Sequence, residues 1–317
     1  MTGALGMMFP GQGSQSVGML AELAAAHAVV GETFDEASQA VERDLWALAQ
    51  DGPAEDLDRT VNTQPVLLTA SVAVYRAWRA AGGAVPAVAA GHSLGEYSAL
   101  VAAGSLELSD AVRLVRERGR LMQAAVPEGE GAMAAILGLD DGAVEQCCAD
   151  AAGNGVVAPA NLNAPGQVVI AGDTAAVERA VEACRAAGAK RAMALRVSGP
   201  FHCALMEPAA SAFRERLEAC ALEPPGFAVI HNVDGTAAQS PETIRERLVT
   251  QLHAPVRWTR CVAAMATAGA RLLVECGPGR VLSGMVRRID RDLAVASTQN
   301  PAAFDEALAA AAGEARA

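Results

Sequence analysis

The stretch GHSLG at residues 91–95 decides the fold prediction, because it matches the G-x-S-x-G pattern of a nucleophile elbow. The preceding segment, 85–90, is small, apolar and uncharged, which is typical of a buried strand, and residues 96–103 suit a helix. A serine at this junction is held on a tight turn, and the start of the helix places free backbone N–H groups beside its hydroxyl. The pentapeptide therefore predicts a serine acyl-transfer site at Ser93. A glycine-rich turn with an incidental serine is the alternative.

Composition indicates a folded protein with a large core. The chain has 317 residues, 52% of them hydrophobic, and a formal net charge of −11. This acidic balance argues against a general nucleic-acid binder, which needs a dominant basic surface. The seven cysteines form no CxxC pair and no Cys/His metal spacing, so we expect reduced thiols and no metal site.

The N-terminus and the apolar stretches predict a cytoplasmic protein. The segment MTGALGMMFPGQG lacks a charged region ahead of its apolar residues and breaks at Pro10 and Gly11, so it does not match a signal peptide. Every long apolar stretch is interrupted by glycine, proline or charge before it reaches the length of a membrane span. We therefore expect no membrane partner.

The order of predicted elements divides the chain into two units. Strands at 4–9 and 85–90 alternate with helical stretches at about 17–50, 64–80 and 110–125, the last with Ser109 or Asp110 as its N-cap. This alternation favours a parallel sheet flanked by helices. The same pattern resumes late in the chain, with helices at 208–220, 241–251 and 257–269 and strands at 227–232 and 271–276.

The middle of the chain differs. Its predicted elements are strands at 132–139, 155–161, 166–172 and 191–197 and helices at 142–152 and 173–187. The order βαββαβ is typical of a ferredoxin-like unit. We therefore expect a hydrolase-like α/β large subdomain at 1–128 and 198–317, with an inserted ferredoxin-like subdomain at 129–197. The cleft between them is the expected active site.

A serine hydroxyl needs a base that accepts its proton, and the chain has five histidines. His202 is the preferred candidate, because it stands in the loop SGPFHCALM (198–206), where the chain leaves the inserted unit at the expected cleft. The other histidines lie in a helix, beside the serine, at a strand end and in a turn: His27, His92, His231 and His253. The one beside the serine has a side chain that diverges from the hydroxyl, which favours a structural role.

Seven dispersed motifs resemble the malonyl-CoA:acyl carrier protein transacylases of bacterial fatty-acid synthesis. They are GQGSQ (11–15), GHSLGEYSAL (91–100), RERG (116–119), NLNAPGQVVIAG (161–172), FHCALM (201–206), QLHAPVRW (251–258) and ECGPGRVL (275–282). They follow the family's order from about residue 4 to residue 300. Acyltransferases of polyketide synthesis share these motifs, so the resemblance leaves the pathway open.

The resemblance implies catalytic roles. Ser93 would attack the malonyl thioester, with His202 as general base and then as general acid towards the leaving thiol. A backbone carbonyl near Gln251 would orient the imidazole, so the site would be a dyad without an acidic third member. The backbone N–H groups of Gln12 and Leu94 would form the oxyanion hole.

The resemblance also implies substrate contacts. Arg118 would bind the free carboxylate of malonate through a two-point, charge-assisted contact, whereas its neighbours Arg113, Arg116 and Arg120 are expected on a solvated helix face. Asn161 and Asn163 would bind pantetheine or shape the cleft, with turn-forming asparagines as the open alternative. Phe201 would crowd an α-branch of the acyl group, which predicts a preference for malonyl over methylmalonyl.

The predicted reaction is ping-pong transfer from malonyl-CoA to acyl carrier protein, without a metal, nucleotide or redox cofactor. Because carrier proteins are generally acidic, docking requires a local basic patch, for which Lys190, Arg191, Arg287 and Arg288 are candidates. The protein is expected to be a monomer. The alternatives are a serine esterase or thioesterase with the same elbow, and a carrier-binding subunit without activity.

Overall fold

The structure, a computed structural model, describes residues 4–195 and 197–314. The first part contains β1 (Ala4–Phe9), α1 (Ala21–Ala26), α2 (Val29–Val41), α3 (Leu45–Asp51), α4 (Ala54–Leu57), α5 (Thr60–Ala80), β2 (Val88–Gly91), α6 (Gly95–Ala102) and α7 (Leu108–Ala124). The middle contains β3 (Gly131–Leu137), α8 (Asp141–Ala152), β4 (Val157–Ala164), β5 (Gln167–Asp173), α9 (Thr174–Ala186) and β6 (Arg191–Ala194). A 3₁₀ turn at Ala204–Met206 precedes α10 (Glu207–Glu218), β7 (Ala228–Ile230), α11 (Pro241–His253), α12 (Trp258–Thr267), β8 (Ala270–Glu275), α13 (Val281–Ile289), β9 (Ala294–Ser297) and α14 (Pro301–Glu314).

The larger sheet has five parallel strands in the order β7-β2-β1-β8-β9. Its central strand, β1, reads ALGMMF and is buried along nearly its whole length, as expected for a parallel strand covered by helices on both faces. Met8 belongs to the core on one face, whereas Met7 and Phe9 belong to the core on the other. The predicted parallel sheet with flanking helices is confirmed.

The smaller sheet has four antiparallel strands in the order β4-β5-β3-β6. Helices α8 and α9 pack together and share a separate core with this sheet, which includes Val144, Ile170 and Val177. The chain order βαββαβ and the strand order are those of the ferredoxin-like unit, so this part of the fold prediction is confirmed. The subdomain boundaries after residues 128 and 197 stay predictions.

Several local predictions differ from the structure. The expected helical region 17–50 is divided into α1, α2 and α3, and the expected strand 191–197 ends at Ala194, with Arg196 outside the described residues. Neither Ser109 nor Asp110 caps α7, which begins earlier, at the buried Leu108. Burying an apolar residue in the first turn outweighs a side-chain cap, since most helix stability comes from packing. The short α4 and the elements α13, β9 and α14 were not predicted.

The junction of β2 and α6 is packed too tightly for any side chain at two of its glycines. A Cβ at Gly91 would lie 1.8 Å from the carbonyl carbon of Gly95, and a Cβ at Gly95 would lie 2.1 Å from the carbonyl oxygen of Phe9. Both neighbours are backbone, so they cannot move away as a flexible side chain would. This contact fixes the start of α6 against β1 and places Ser93 at the edge of the sheet.

Every helix in the described part of the chain is too short or too polar to cross a lipid bilayer.

We expect Gly95→Ala to destabilise the protein by about 2 kcal/mol or more, because overpacking at a rigid contact costs on the order of 1–3 kcal/mol. Urea denaturation followed by circular dichroism measures the change. Gly31→Ala is the matched control: it lies within α2, where an added Cβ meets no atom within 4 Å. It should stabilise the protein by up to about 1 kcal/mol. Equal urea midpoints for Gly95→Ala and the wild type would contradict the tight junction.

Candidate active site

Ser93 occupies the turn between β2 and α6 with a backbone φ of 51°. This left-handed conformation is strained for a residue with a Cβ and is typical of a nucleophile elbow. The backbone N–H of Ser93 donates to the side-chain oxygen of Asn232 at 2.7 Å, and the amide nitrogen of Asn232 donates to the carbonyl of Gly91 at 2.7 Å. One buried asparagine side chain therefore stabilises the turn from both sides.

His202 lies in contact with the serine. Its Nε2 is 2.7 Å from Ser93 Oγ, and its Nδ1 is 2.7 Å from the backbone carbonyl oxygen of Gln251. A carbonyl can only accept, so Nδ1 carries the ring proton and the lone pair of Nε2 faces the serine hydroxyl. This is the tautomer that a general base requires.

Burial favours the neutral form of the same imidazole. Desolvation lowers the pKa of His202 to about 3, and the nearby Arg118 cation contributes in the same direction. The hydrogen bond to Gln251 opposes this shift but does not outweigh it. At neutral pH the ring is therefore uncharged and able to accept a proton.

Arg118 enters the site from α7 and is almost completely buried, with 1% of its surface exposed. Its Nη1 donates to Gln64 Oε1 at 2.8 Å, and its Nη2 donates to Gln251 Oε1 at 2.9 Å and to Ser93 Oγ at 3.2 Å. The guanidinium carbon lies 5.3 Å from the ring centroid of Tyr97. Within the described residues no carboxylate contacts the guanidinium, so its hydrogen-bond partners are all neutral.

The neighbouring arginines of α7 have a different environment. Arg113, Arg116 and Arg120 are exposed and bond to backbone carbonyls or to carboxylates on the surface. This solvated helix face agrees with the expectation from the sequence.

The proposed oxyanion donors lie beside the serine. The backbone N–H groups of Gln12 and Leu94 line the cleft, and neither donates a hydrogen bond to another described residue. The loop after β1 approaches the elbow closely, because a Cβ at Gly11 would lie 2.4 Å from the carbonyl oxygen of His92. Two main-chain donors are thus left available at one end of the cleft.

Asn161 and Asn163 lie on β4, two residues apart, so they share one face of the strand. The alternative that they form a turn is therefore wrong. Asn163 Oδ1 is 2.8 Å from His92 Nε2, which gives that histidine a structural partner. Phe201 is largely buried and lines the cleft next to His202.

The structure brings the predicted residues to one cleft of about 210 Å³ between the two sheets. Its lining includes Gln12, Ser93, Leu94, Arg118, Asn161, Asn163, Phe201 and His202. Gln251 lies behind this surface and is fully buried. The remaining lining is mostly apolar. In the described part of the chain, no group of three or more histidine, cysteine, aspartate or glutamate side chains is arranged to hold a metal ion.

Sequence reasoning missed the polar side chains behind the cleft. Glu96, His231 and Asn232 are each fully buried and bond to one another and to Gln251. The motif HNVDG (231–235) contained a usable signal, because β7 precedes it and pairs in parallel with β2. Parallel strands present their carboxyl ends at the same edge, so Asn232 belongs beside Ser93 once β7 is placed there.

Comparison with known proteins agrees with this geometry. The family described as "Acyl transferase domain" matches residues 7–299. The malonyl CoA-acyl carrier protein transacylase of Escherichia coli K12 is 56% identical over 301 residues, which cover 95% of this chain and 97% of that protein. The protein of the same name from Bacillus subtilis is 45% identical over 305 residues and covers 96% of each chain.

Solved structures show the same likeness. An acyl carrier protein S-malonyltransferase from Vibrio cholerae superposes with a TM-score of 0.94 at 53% identity, covering 96% of this chain and 99% of that one. A malonyl-transacylase solved with its type II PKS acyl carrier protein superposes with a TM-score of 0.96 at 53% identity, covering 97% of this chain and 99% of that one. The resemblance found in the motifs is confirmed, and the chain belongs to the acyl transferase domain family.

Proposed function

We propose that this chain transfers the malonyl group from malonyl-CoA to the phosphopantetheine thiol of acyl carrier protein, through a malonyl ester on Ser93. The observation that carries the proposal is that a serine–histidine pair and a buried guanidinium share one cleft, with Arg118 Nη2 3.2 Å from Ser93 Oγ. The names of the relatives and of the solved structures support the same reaction.

In the first half-reaction, Oγ of Ser93 attacks the thioester carbonyl while Nε2 of His202 accepts the hydroxyl proton. The N–H groups of Gln12 and Leu94 stabilise the negative charge that develops on the carbonyl oxygen, a kind of contact worth about 10²–10³ in rate for each donor. The imidazolium then gives its proton to the departing CoA thiolate. The second half-reaction reverses these steps, with the carrier's thiol as nucleophile.

Arg118 selects the acyl group. The carboxylate of a malonyl ester is only one methylene away from the ester carbonyl, so it falls beside a guanidinium that already contacts Oγ. The hydrogen-bond partners of Arg118 are neutral, so the positive charge of the guanidinium remains available for the substrate. A neutral acyl chain would leave this buried cation without an anion, which disfavours the plain esterase alternative.

The first choice of pathway is fatty-acid synthesis, in the cytoplasm, with the protein acting as a monomer on malonyl-CoA and a carrier protein. A discrete acyltransferase of polyketide synthesis is the second candidate, and the malonyl-transacylase solved with a type II PKS carrier favours it. The proposed division is a catalytic subdomain at 1–128 and 198–317 with an insert at 129–197. A thioesterase and an inactive carrier-binding subunit remain the other readings.

Incubation with labelled malonyl-CoA, followed by intact-mass analysis, tests the reaction itself. We expect a malonyl adduct that Ser93→Ala abolishes and that moves to pantetheine when the thiol is added. Free malonate as the main product would instead identify a thioesterase, and no adduct at all would identify a binding subunit.

Arg118→Met should lower the rate of malonyl loading by about 100-fold, because a charge-assisted, two-point contact is worth about 3 kcal/mol. Loading from acetyl-CoA, which lacks the carboxylate, should change far less. Arg120→Met is the matched control, since Arg120 lies on the exposed face of the same helix. If both thioesters lose the same factor in Arg118→Met, this arginine does not bind the carboxylate.

The lowered pKa of His202 predicts a flat acid limb. A group that titrates at about 3 stays neutral when the pH falls from about 7.5 to 5, whereas an ordinary histidine would lose roughly 30-fold of its base form. We therefore expect the rate of Ser93 labelling by phenylmethylsulfonyl fluoride, corrected for reagent hydrolysis, to stay within about twofold over that range. Circular dichroism at each pH checks that the fold persists. A fall centred near pH 6.5 would show that the imidazole is not desolvated in this way.

Carrier docking is expected at the exposed basic side chains Lys190, Arg191, Arg287 and Arg288, three of which line one surface depression. Reversal of these charges to glutamate should raise KM for the carrier and leave acylation by malonyl-CoA unchanged. Arg214→Glu, an exposed charge on α10, is the control. A parallel loss of both half-reactions would mean that the patch does not dock the carrier.

A further inference from the structure

Glu96 is a fully buried carboxylate that the mechanism above does not use. It lies in the first turn of α6, three residues after the serine. Its Oε1 accepts from His231 Nδ1 at 2.7 Å, and its Oε2 accepts from the backbone N–H of Asn232 at 2.9 Å and from Gln251 Nε2 at 2.8 Å. Because all three partners donate, the carboxylate is satisfied as an anion without any direct contact to a cationic guanidinium.

The side chain of Gln251 connects this carboxylate to the cleft. Its Nε2 faces Glu96, and its Oε1 accepts from Arg118 Nη2 at 2.9 Å. A carboxylate can only accept and a guanidinium can only donate, so these two neighbours dictate which way the amide points. If the amide were reversed, its NH₂ would face the N–H groups of Arg118, and its oxygen would face the Glu96 anion.

An amide in this place solves an electrostatic problem. A carboxylate in direct contact with Arg118 would neutralise the guanidinium and compete with the carboxylate of the substrate. The amide of Gln251 transmits a hydrogen bond but no net charge. The guanidinium is therefore held in position while its charge remains unpaired until the acyl group arrives.

We propose that Glu96 is a positioning residue that acts through the side-chain amide of Gln251 to hold Arg118 ready for the carboxylate of the acyl group. This role rests on the proposed function and concerns the selection of malonyl, not the Ser93–His202 pair. It is separate from the backbone carbonyl of Gln251, which orients His202.

Glu96 also bonds to Asn232, whose side chain supports the elbow, so loss of the carboxylate affects Ser93 as well. A ratio separates the two effects. The loading rates from malonyl-CoA and acetyl-CoA, both measured by intact mass, share the serine and the base but differ in the carboxylate. Damage to the elbow lowers both rates equally, whereas a displaced Arg118 lowers only the malonyl rate.

In Glu96→Gln, the new amide no longer dictates the orientation of Gln251. We expect the malonyl-to-acetyl ratio of loading rates to fall by about 10-fold or more, as for the loss of a hydrogen bond to a charged group. Gln251→Met breaks the same connection from the other side and keeps the backbone carbonyl, so its ratio should fall similarly. The double variant should have the ratio of Gln251→Met alone to within about twofold, since both changes act on one path.

His231→Leu is the matched control. It removes the donor on Oε1 of Glu96 and leaves the contact with Gln251, so it should lower the unfolding midpoint and keep the ratio to within about twofold. A fall in this control as large as in Glu96→Gln would overturn the proposal.

The remaining outcomes each decide a question. A wild-type protein without a malonyl adduct would refute the proposed function. A wild type that prefers malonyl, together with Glu96→Gln at an unchanged ratio or with additive effects in the double variant, would overturn the role of Glu96 alone. If Glu96→Gln does not fold, Gln251→Met decides, because an unchanged ratio there contradicts the path from Glu96 to Arg118.

Discussion

The constraint on which the site depends is that the positive charge of Arg118 must be buried without being neutralised. The fold meets this constraint with neutral oxygens from three separate elements: Gln64 on α5, Gln251 on α11 and Ser93 at the elbow. Desolvation lowers the pKa of the guanidinium, but an arginine retains its charge at neutral pH. The same charge helps to keep His202 neutral. Acid selection and base catalysis are thus coupled through one buried cation.

The two sheets contribute unlike halves of the cleft. The parallel sheet supplies the elbow at the carboxyl end of β2, where ligands of open α/β sheets commonly bind. The antiparallel sheet supplies Asn161 and Asn163, and β4 is joined to the segment before α12 by backbone hydrogen bonds at Val256. The wall opposite the nucleophile is therefore attached to the large sheet by its backbone as well as by side chains.

The sequence predicted those features that local patterns determine. The elbow and its strand and helix follow from residues 85–103, and the loop around His202 follows from its place between two recognisable patterns. Glu96 and its partners were beyond this reasoning, since its contacts to His231 and Asn232 join residues 135 and 136 positions apart. The N-cap of α7 was wrong because burial of Leu108 outweighs a local hydrogen bond. Strand β9 is short and only partly buried, so it lacks the apolar run that identified β1.

The hydrogen bond from His202 to a main-chain oxygen has a consequence for how this scaffold can change. Because the acceptor belongs to the backbone, no side-chain substitution at position 251 deletes it, in contrast to a triad whose aspartate can be mutated away. The side chain at that position is therefore free to vary under selection while the imidazole keeps its partner. Libraries that randomise position 251 can explore other acyl groups on an intact nucleophile, which makes this residue a natural starting point for engineering extender-unit choice.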